Sequence, residues 1–152
     1  MEAHSIGTRR VAQIGILVRD IEAASAAWAK LLGCEVPPWH WTEPYDEAQT
    51  VYEGEPTPAR AKLAFFHLDN VDIELIEPDE HPSTWRAWLD EHGEGVHHIA
   101  FEIEGMAARS EALSGAGWRL IQRGEYKGGR YAYFDGAPSV RAVIELLEND
   151  RR

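Results

Sequence analysis

The sequence is poor in cysteine, and its 152 residues include only Cys34. A single cysteine cannot form an internal disulfide bond, and Cys34 has no evident base or metal partner, so it is expected to be inert. The segment 1–10 is polar and lacks the apolar run of a signal peptide. These absences predict a cytoplasmic protein.

Basic residues are also scarce. The 15 Lys and Arg residues stand against 26 Asp and Glu residues, which gives a formal net charge of -11 at pH 7. A surface of this sign repels the phosphates of nucleic acids and the anionic face of a membrane, so neither is an expected partner. Hydrophobic residues (44%) and charged residues (27%) are as frequent as in average globular proteins, and the length fits one domain over 1–152.

Two stretches near the start predict a strand followed by a helix. Val11–Val18 is rich in β-branched and apolar residues and predicts a mostly buried strand. Asp20 suits a helix N-cap, the alanine-rich Ile21–Leu32 suits about three helical turns, and Gly33 suits the residue after the helix. The segment Cys34–Arg60 is rich in proline and aromatics, which predicts an irregular or short-stranded loop.

The rest of the chain predicts a hairpin-like pair, a short helix and a second unit like the first. The expected elements are strands over Lys62–Leu68 and Asp72–Ile76, a short helix over Trp85–Leu89 that Pro82, Ser83 and Thr84 can start, a strand over Val96–Ile103, a helix over Met106–Ser114, and strands near Trp118–Gln122, Arg130–Phe134 and Val140–Leu147. The order is therefore strand, helix and three strands, repeated in modules of about 10–80 and 95–149.

The two halves also share a local pattern. Gln13–Ile16 aligns with His98–Phe101, and Ile73–Glu77 aligns with Ile144–Glu148. Each aligned strand contributes one polar residue to a set of four. These four residues are Gln13, Glu74, His98 and Glu145, and burying a neutral polar group without a partner costs about 2–7 kcal/mol. Something must therefore satisfy these side chains.

Three strand motifs carry a resemblance to a known family. They are Ile73–Pro78, Val96–Phe101 and Val143–Glu148. In this order they resemble the corresponding strands of the vicinal oxygen chelate superfamily, which includes methylmalonyl-CoA epimerase and glyoxalase I, and the resemblance covers nearly the whole chain. It implies an α+β fold in which two pseudo-symmetric βαβββ modules form a curved eight-stranded sheet. It also implies a homodimer.

By position, the resemblance places the family's metal ligands on Gln13, Glu74, His98 and Glu145. Such ligands suit zinc or another divalent ion such as nickel, cobalt or manganese. Gln13 resembles a ligand of zinc-type glyoxalase I and opposes the two-histidine, one-carboxylate iron site of extradiol dioxygenases. Alternation also places glutamate routinely on exposed strand faces, so Glu74 or Glu145 alone is equally compatible with a solvated face. By the same alternation His97 points away from His98 and is expected to be structural.

The resemblance implies a metal-dependent isomerase or lyase that moves a proton α to a carbonyl, with Glu145 as base and Glu74 mainly as ligand. The substrate would be an acyl-thioester, as for methylmalonyl-CoA epimerase, or a hemithioacetal, as for lactoylglutathione lyase (glyoxalase I). The stretch Phe134–Glu145 is epimerase-like, whereas Gln13 is glyoxalase-like. The second carboxylate that a two-base epimerase needs is not placed by the sequence.

Two other functions compete with this one. A non-catalytic small-molecule binding protein of the bleomycin-resistance type would use aromatic residues and acidic charge, without a metal. Metal-dependent thiol transfer to fosfomycin resembles a His, His, Glu ligand set, from which Gln13 and Glu74 depart. Metal content distinguishes the binding protein from the enzyme, because only the enzyme needs a bound ion.

Substrate contacts are expected from two segments. The candidate residues are Trp39, Trp41 and Tyr45 in the proline-rich loop, and Arg130 and Tyr133, with Lys127, near a glycine pair that could form a flap over an anionic substrate. The alternatives are that these aromatics cover a core edge or a dimer contact and that the basic residues are simply solvated. Trp85 and Trp88, three residues apart, are expected to pack in the core or an interface.

Overall fold

The structure, a computed structural model, describes residues 5–151 and contains ten β-strands and four α-helices in that range. The strands are Val11–Leu17 (β1), His40–Trp41 (β2), Val51–Tyr52 (β3), Glu55–Pro56 (β4), Ala61–His67 (β5), Asp72–Pro78 (β6), Gly95–Glu102 (β7), Arg119–Tyr126 (β8), Gly129–Asp135 (β9) and Val143–Asn149 (β10). The helices are Ile21–Leu32 (α1), Tyr45–Ala48 (α2), Thr84–His92 (α3) and Met106–Gly115 (α4). Among residues 5–151 no helix is long and apolar enough to cross a membrane.

All ten strands belong to one mixed sheet, in the order β2-β5-β6-β1-β7-β10-β9-β8-β3-β4. Strands β1 and β7 are antiparallel neighbours at its centre, and each is parallel to the last strand of its own half, β6 and β10. The halves β1-α1-β2-β5-β6 and β7-α4-β8-β9-β10 are therefore arranged alike on either side of the β1–β7 pair. This curled sheet confirms the expected α+β fold of two βαβββ modules, to which the hairpin β3–β4 adds two short strands.

Local signals start and end the helices. The Asp20 side chain accepts hydrogen bonds from the backbone N–H groups of Glu22 and Ala23, and Gly33 ends α1 with a positive φ of 71°. The Ser83 hydroxyl accepts from the N–H of Arg86 and starts α3. These interactions explain why the caps read from the sequence place both helix starts correctly.

The repeated motif Ile-Glu-Leu-(Ile/Leu)-Glu has two different roles for its two glutamates. The second one turns to the helix side of the sheet, where the Glu77 carboxylate accepts a hydrogen bond from the N–H of Ile21 in α1. In the other module, the Glu148 carboxylate accepts from the N–H groups of Gly105 and Met106 at the start of α4. Each module thus caps its own helix from its last strand, where negative charge also complements the helix dipole.

We expect Glu148→Ala to lower the free energy of unfolding by about 1–2 kcal/mol at pH 7, the usual cost of losing a helix cap. Hydrogen bonds from the Gly105 N–H lower the pKa of Glu148 from its ordinary 4.5, so this stabilisation is present above pH 4.5 and is lost as the pH falls through the lowered pKa. Denaturant unfolding at pH 7 and in acid measures the difference. Glu104→Ala is the control, because Glu104 is 82% exposed. A difference that persists unchanged in strong acid would contradict the capping role.

Several strand boundaries differ from those expected. Strand β8 continues to Tyr126 instead of ending near Gln122, and β10 begins at Val143 rather than at Val140. The delay has a local cause, since the N–H groups of Val140 and Arg141 both donate to the Gly136 carbonyl and close a turn there. The helix α3 is longer than expected and runs to His92.

The two faces of the sheet bury different clusters. On the convex face, α1 packs over residues that include Ile73 and Leu75, and α4 packs over Phe134 and Leu146. On the concave face, α3 covers one end of the sheet, where its residues Trp85 and Leu89 contact Leu17, Ile76 and Val143. The remainder of the concave face holds the polar residues described next.

Candidate metal centre

The four predicted ligands occupy two adjacent rows across the centre of the concave face. In one row, Glu74 on β6 and His98 on β7 flank Gly15 of β1. In the next row, Gln13 on β1 and Glu145 on β10 flank Ala100 of β7. The sheet therefore brings together four residues that are up to 132 positions apart in the sequence, as Gln13 and Glu145 are.

The residue between the two ligands of each row is small, and the pseudo-symmetry explains why. Gly15 follows Gln13 by two positions and Ala100 follows His98 by two positions. Gly15 of the first module thus lies opposite His98 of the second, and Ala100 of the second module lies opposite Gln13 of the first. At Gly15 the fit is tight, because a Cβ added there would lie 2.0 Å from Cε1 and 2.5 Å from Nε2 of His98. Only glycine leaves room for the imidazole in this position.

The potential ligand atoms converge on one point. His98 Nε2 lies 3.0 Å from Glu145 Oε1 and 3.4 Å from Glu74 Oε1, and one ligating atom from each of the three residues lies within 4.8 Å of the others. The three side chains are buried, with exposures of 1% for His98, 4% for Glu145 and 7% for Glu74. Gln13 lines the same cavity from the neighbouring row.

Four buried polar atoms in this cluster have no hydrogen-bond partner among the described residues. They are Gln13 Oε1, Glu74 Oε1, His98 Nε2 and Glu145 Oε1. The His98–Glu145 contact is short but lacks the alignment of a hydrogen bond. Buried atoms of this kind normally have partners, and an unmatched cluster calls for an ion or ligand. Two carboxylates, one imidazole and one amide oxygen form a donor set that fits a divalent metal of the zinc type.

The charges of the site shift its pKa values strongly. Burial lowers the pKa of His98, but the carboxylates of Glu145 and Glu74 outweigh burial and raise it to about 9. Burial raises the pKa of Glu145, although the neighbouring His98 opposes this shift. The carboxylates of Glu74 and Glu145 thus lie beside one cation, the protonated His98, in a buried space. Because a buried negative charge without a partner is costly, this arrangement favours the binding of a further positive charge.

The neighbouring His97 lies on the same face as His98, contrary to the expectation from strand alternation. The pairing of β1 with β7 shifts by one residue, because Gly15 pairs with His98 while Ile16 pairs with Val96. His97 is the extra residue of this β-bulge, which turns its side chain toward that of His98. The two Nδ1 atoms lie 2.9 Å apart. Burial and the adjacent His98 hold the pKa of His97 well below 6.5, so His97 is neutral at pH 7.

Residues in the first turn of α3 contact the residues next to the candidate ligands. Trp85 Nε1 donates to the Tyr133 hydroxyl over 3.0 Å, and Tyr133 lies directly opposite Glu145 in the pairing of β9 with β10. Thr84 Oγ1 lies 3.1 Å from His97 Nε2, and the Thr84 N–H donates to the side chain of Gln122. The first turn of α3 therefore reaches two of the four ligands through one intermediate residue each.

The ligands open into a cavity of about 340 Å³. Its roof is the segment 42–60, which leaves the sheet beside β5 and carries β3 across to pair with β8 near the opposite edge. The lining combines apolar, aromatic and carboxylate side chains. Besides Gln13, Glu74 and Glu145, it includes His40, Trp41, Thr42, Glu43, Ala48, Thr50, Leu63, Phe65, Trp85, Glu125, Tyr126, Lys127, Tyr131, Tyr133, Leu147 and Asn149.

The five substrate-binding candidates divide into two groups. Trp41 and Tyr133 line the cavity. Trp39, Tyr45 and Arg130 are absent from its lining. Trp39 donates to Glu22 of α1, and Arg130 pairs with carboxylates that include Glu148. Because β9 residues alternate in direction, Tyr133 and Arg130 face opposite sides of the sheet.

Sequence reasoning missed several residues of the site. Strand alternation predicts the wrong face for His97, because the pattern takes no account of a β-bulge. Gln122 donates a partly buried hydrogen bond to the Tyr131 hydroxyl over 3.0 Å beside the cavity, and an isolated polar residue in a strand gives no signal of such a pairing. Glu43 lies in a loop without periodicity, so only the folded chain places it at the cavity. Among these residues, only His97 had a visible signal in the sequence, its position next to His98.

Comparison with known proteins agrees with this geometry. The family model of the Glyoxalase/Bleomycin resistance protein/Dioxygenase superfamily matches residues 12–134. The ethylmalonyl-CoA/methylmalonyl-CoA epimerase of Cereibacter sphaeroides is 32% identical over 123 residues, which cover 80% of this chain and 81% of that protein. These matches confirm the family resemblance carried by the strand motifs.

Solved structures share the fold. Methylmalonyl-CoA epimerase from Mycobacterium tuberculosis superposes with a TM-score of 0.64 at 22% identity, covering 98% of this chain and 95% of its own. A hypothetical protein from Bacillus halodurans C-125 superposes with a TM-score of 0.67 at 20% identity, covering 94% of this chain and 96% of its own. The curled two-module sheet is therefore a known architecture.

Proposed function

The chain belongs to the glyoxalase/bleomycin resistance protein/dioxygenase superfamily, and we propose that it is a divalent-metal-dependent isomerase that moves a proton α to the carbonyl of an acyl-thioester. One observation carries this proposal, namely the convergence of four unpartnered polar atoms in the buried cluster of Gln13, Glu74, His98 and Glu145. A divalent metal held by these residues, with zinc as the first candidate, would polarise a carbonyl oxygen and stabilise negative charge on it.

Glu145 is the proposed base. Its carboxylate lies in the cavity wall, and burial raises its pKa, which makes the ionised form a stronger proton acceptor. Tyr133 lies beside Glu145 as its cross-strand neighbour, and the hydrogen bond from Trp85 holds the Tyr133 side chain in place. Glu74 completes the negative charge of the site and acts mainly as a ligand.

Glu43 is the proposed second acid–base group. Inverting a carbon centre requires proton removal on one side and delivery on the other, so an epimerase needs a further group near the substrate. The cavity lining contains two carboxylates outside the metal cluster, Glu43 and Glu125. Glu125 is exposed, whereas Glu43 is half-buried on the segment 42–60 that roofs the cavity. Its position therefore suits proton transfer better.

The size and lining of the cavity suit the acyl end of a thioester. The volume of about 340 Å³ lies at the small end of ligand pockets, and the walls include the apolar side chains of Leu63, Phe65 and Leu147. Lys127 is the sole lysine or arginine among the lining residues, which provides one contact for an anionic group. The 32% identical relative named ethylmalonyl-CoA/methylmalonyl-CoA epimerase supports the same substrate class.

A hemithioacetal is the second candidate substrate, and Gln13 favours it because of its resemblance to a ligand of zinc-type glyoxalase I. In the same cavity, the proposed metal site would bind the oxygen atoms of a hemithioacetal, and Glu145 would again be the base. The two candidates differ in the thiol and also at the reacting carbon, which lies between two carbonyl groups in methylmalonyl-CoA and bears a hydroxyl group and the sulfur in a hemithioacetal. An assay with each substrate separates them.

The test is solvent exchange of the α-hydrogen. Zinc-reconstituted protein is incubated with methylmalonyl-CoA in D₂O, and mass spectrometry follows deuterium incorporation at the carbon between the two carbonyls. We expect incorporation well above the rate without protein, suppression by a chelator and recovery on adding Zn²⁺. Exchange with a hemithioacetal alone would transfer the assignment to the lyase. A zinc-loaded protein that exchanges neither substrate would contradict the proposed reaction.

A further inference from the structure

The two adjacent histidines in β7 form a hydrogen-bonded pair with a defined direction. We propose that His97 is a positioning residue, which accepts the Nδ1–H of His98 and so keeps His98 Nε2 free as a ligand atom, while Thr84 of α3 fixes His97 in turn. This inference rests on the proposed metal site and deepens it. It assigns a task to a residue that does not contact the ligand position itself.

The direction of the His97–His98 hydrogen bond follows from the number of hydrogens that the two rings carry. The two Nδ1 atoms lie 2.9 Å apart, so one of them must carry the hydrogen that joins them. His98 can bind a metal through Nε2 only if that atom keeps its lone pair, which places the hydrogen of neutral His98 on Nδ1. His97 Nδ1 is then the acceptor. The hydrogen of neutral His97 consequently lies on Nε2, from which it donates to Thr84 Oγ1 over 3.1 Å.

Packing leaves little freedom for either ring. The His98 ring lies against Gly15, where even one methyl group would approach within 2.0 Å of it. The His97 ring is 2% exposed and packs edge-on against Trp88 and Tyr133, with ring centroids 5.6 and 5.3 Å away. A ligand whose second nitrogen is held in this way keeps its orientation before the metal arrives, and metal binding then displaces only the proton on Nε2.

The β-bulge makes this pairing possible. In a regular strand, consecutive side chains point to opposite faces and two adjacent imidazoles cannot meet. Here the register shift opposite Gly15 and Ile16 brings both onto the concave face. The bulge therefore supplies His98 with an outer partner from its own strand, whereas the neighbour of Glu145, Tyr133, belongs to the adjacent strand β9.

The first test compares Zn²⁺ affinity, measured by competition with a chromophoric chelator. His97→Phe keeps an aromatic ring for packing but removes the acceptor, and we expect it to bind Zn²⁺ about 10–100-fold more weakly, as when other outer partners are lost. His97→Asn, whose Oδ1 can accept from His98, is expected to recover most of the affinity. Thr84→Val should weaken binding, whereas Thr84→Ser should not.

The second test needs no variant. In zinc-loaded, ¹⁵N-labelled wild-type protein, we expect a scalar coupling across the hydrogen bond between the two Nδ1 atoms, with the proton attached to His98. A proton attached to His97 Nδ1, or to His98 Nε2, would overturn the inference. Zn²⁺ binding that is unchanged in His97→Phe would also overturn it while leaving the metal site standing. No Zn²⁺ binding by the wild type would overturn the proposed metal site and this inference together.

Discussion

Glu145→Gln is expected to lower the rate of α-hydrogen exchange by about 10²–10⁴-fold, the usual contribution of a general base. The amide keeps the size of the side chain and an oxygen that can face the cluster, but it cannot accept the proton. The measurement is deuterium incorporation into methylmalonyl-CoA by the zinc-loaded variant.

Glu125→Gln is the matched control, because Glu125 is an exposed carboxylate of the same cavity lining and its loss removes the same charge. We expect this variant to exchange hydrogen at nearly the wild-type rate. Equal rates in Glu145→Gln and the wild type would assign the base to another residue, and Glu43→Gln would then be the variant to examine.

Gly15→Ala is expected to weaken Zn²⁺ binding by more than about 100-fold, because it displaces a ligand itself rather than an outer partner. The added methyl group would lie 2.0 Å from His98 Cε1, so the imidazole must leave its position. Overpacking of this kind also costs about 1–3 kcal/mol of stability. Isothermal titration with Zn²⁺ and denaturant unfolding measure the two effects.

A double-mutant cycle separates this clash from general damage to β1. In a His98→Ala background the imidazole is absent, so Gly15→Ala should cost far less stability than it does in the wild type. Equal costs in both backgrounds would show that the methyl group disturbs the strand and not the ligand, and the role of Gly15 as the space for His98 would be wrong.

The fold could be predicted from the sequence because its signals are local and repeated. The caps at Asp20 and Ser83 mark helix starts, and Gly33 marks a helix end, with residues whose own chemistry determines the conformation. The aligned motifs of the two halves placed Gln13 and His98 on equivalent strands. The boundary near Val140 was wrong because three N–H groups share the Gly136 carbonyl there, and no pattern in the sequence predicts that turn.

The surroundings of the four candidate ligands were harder to predict than their placement on neighbouring strands. Alternation assigns a face to each residue of a regular strand, and it fails at His97 because the bulge inserts one residue. The sequence predicts a packing role for Trp85, and Trp85 does pack in the core, but its indole N–H also donates a hydrogen bond to Tyr133. Contacts of this kind join helix and sheet across 48 positions, so they exist only after the chain has folded.

The most direct test of this account is the metal content of untagged protein, measured by inductively coupled plasma mass spectrometry after reconstitution with Zn²⁺ and removal of excess ion. The cluster of Gln13, Glu74, His98 and Glu145 predicts about one ion per chain, lost in His98→Ala and retained in His67→Ala, whose side chain is 76% exposed. A wild-type protein that keeps no ion, or one that keeps it equally in His98→Ala, would contradict the metal centre.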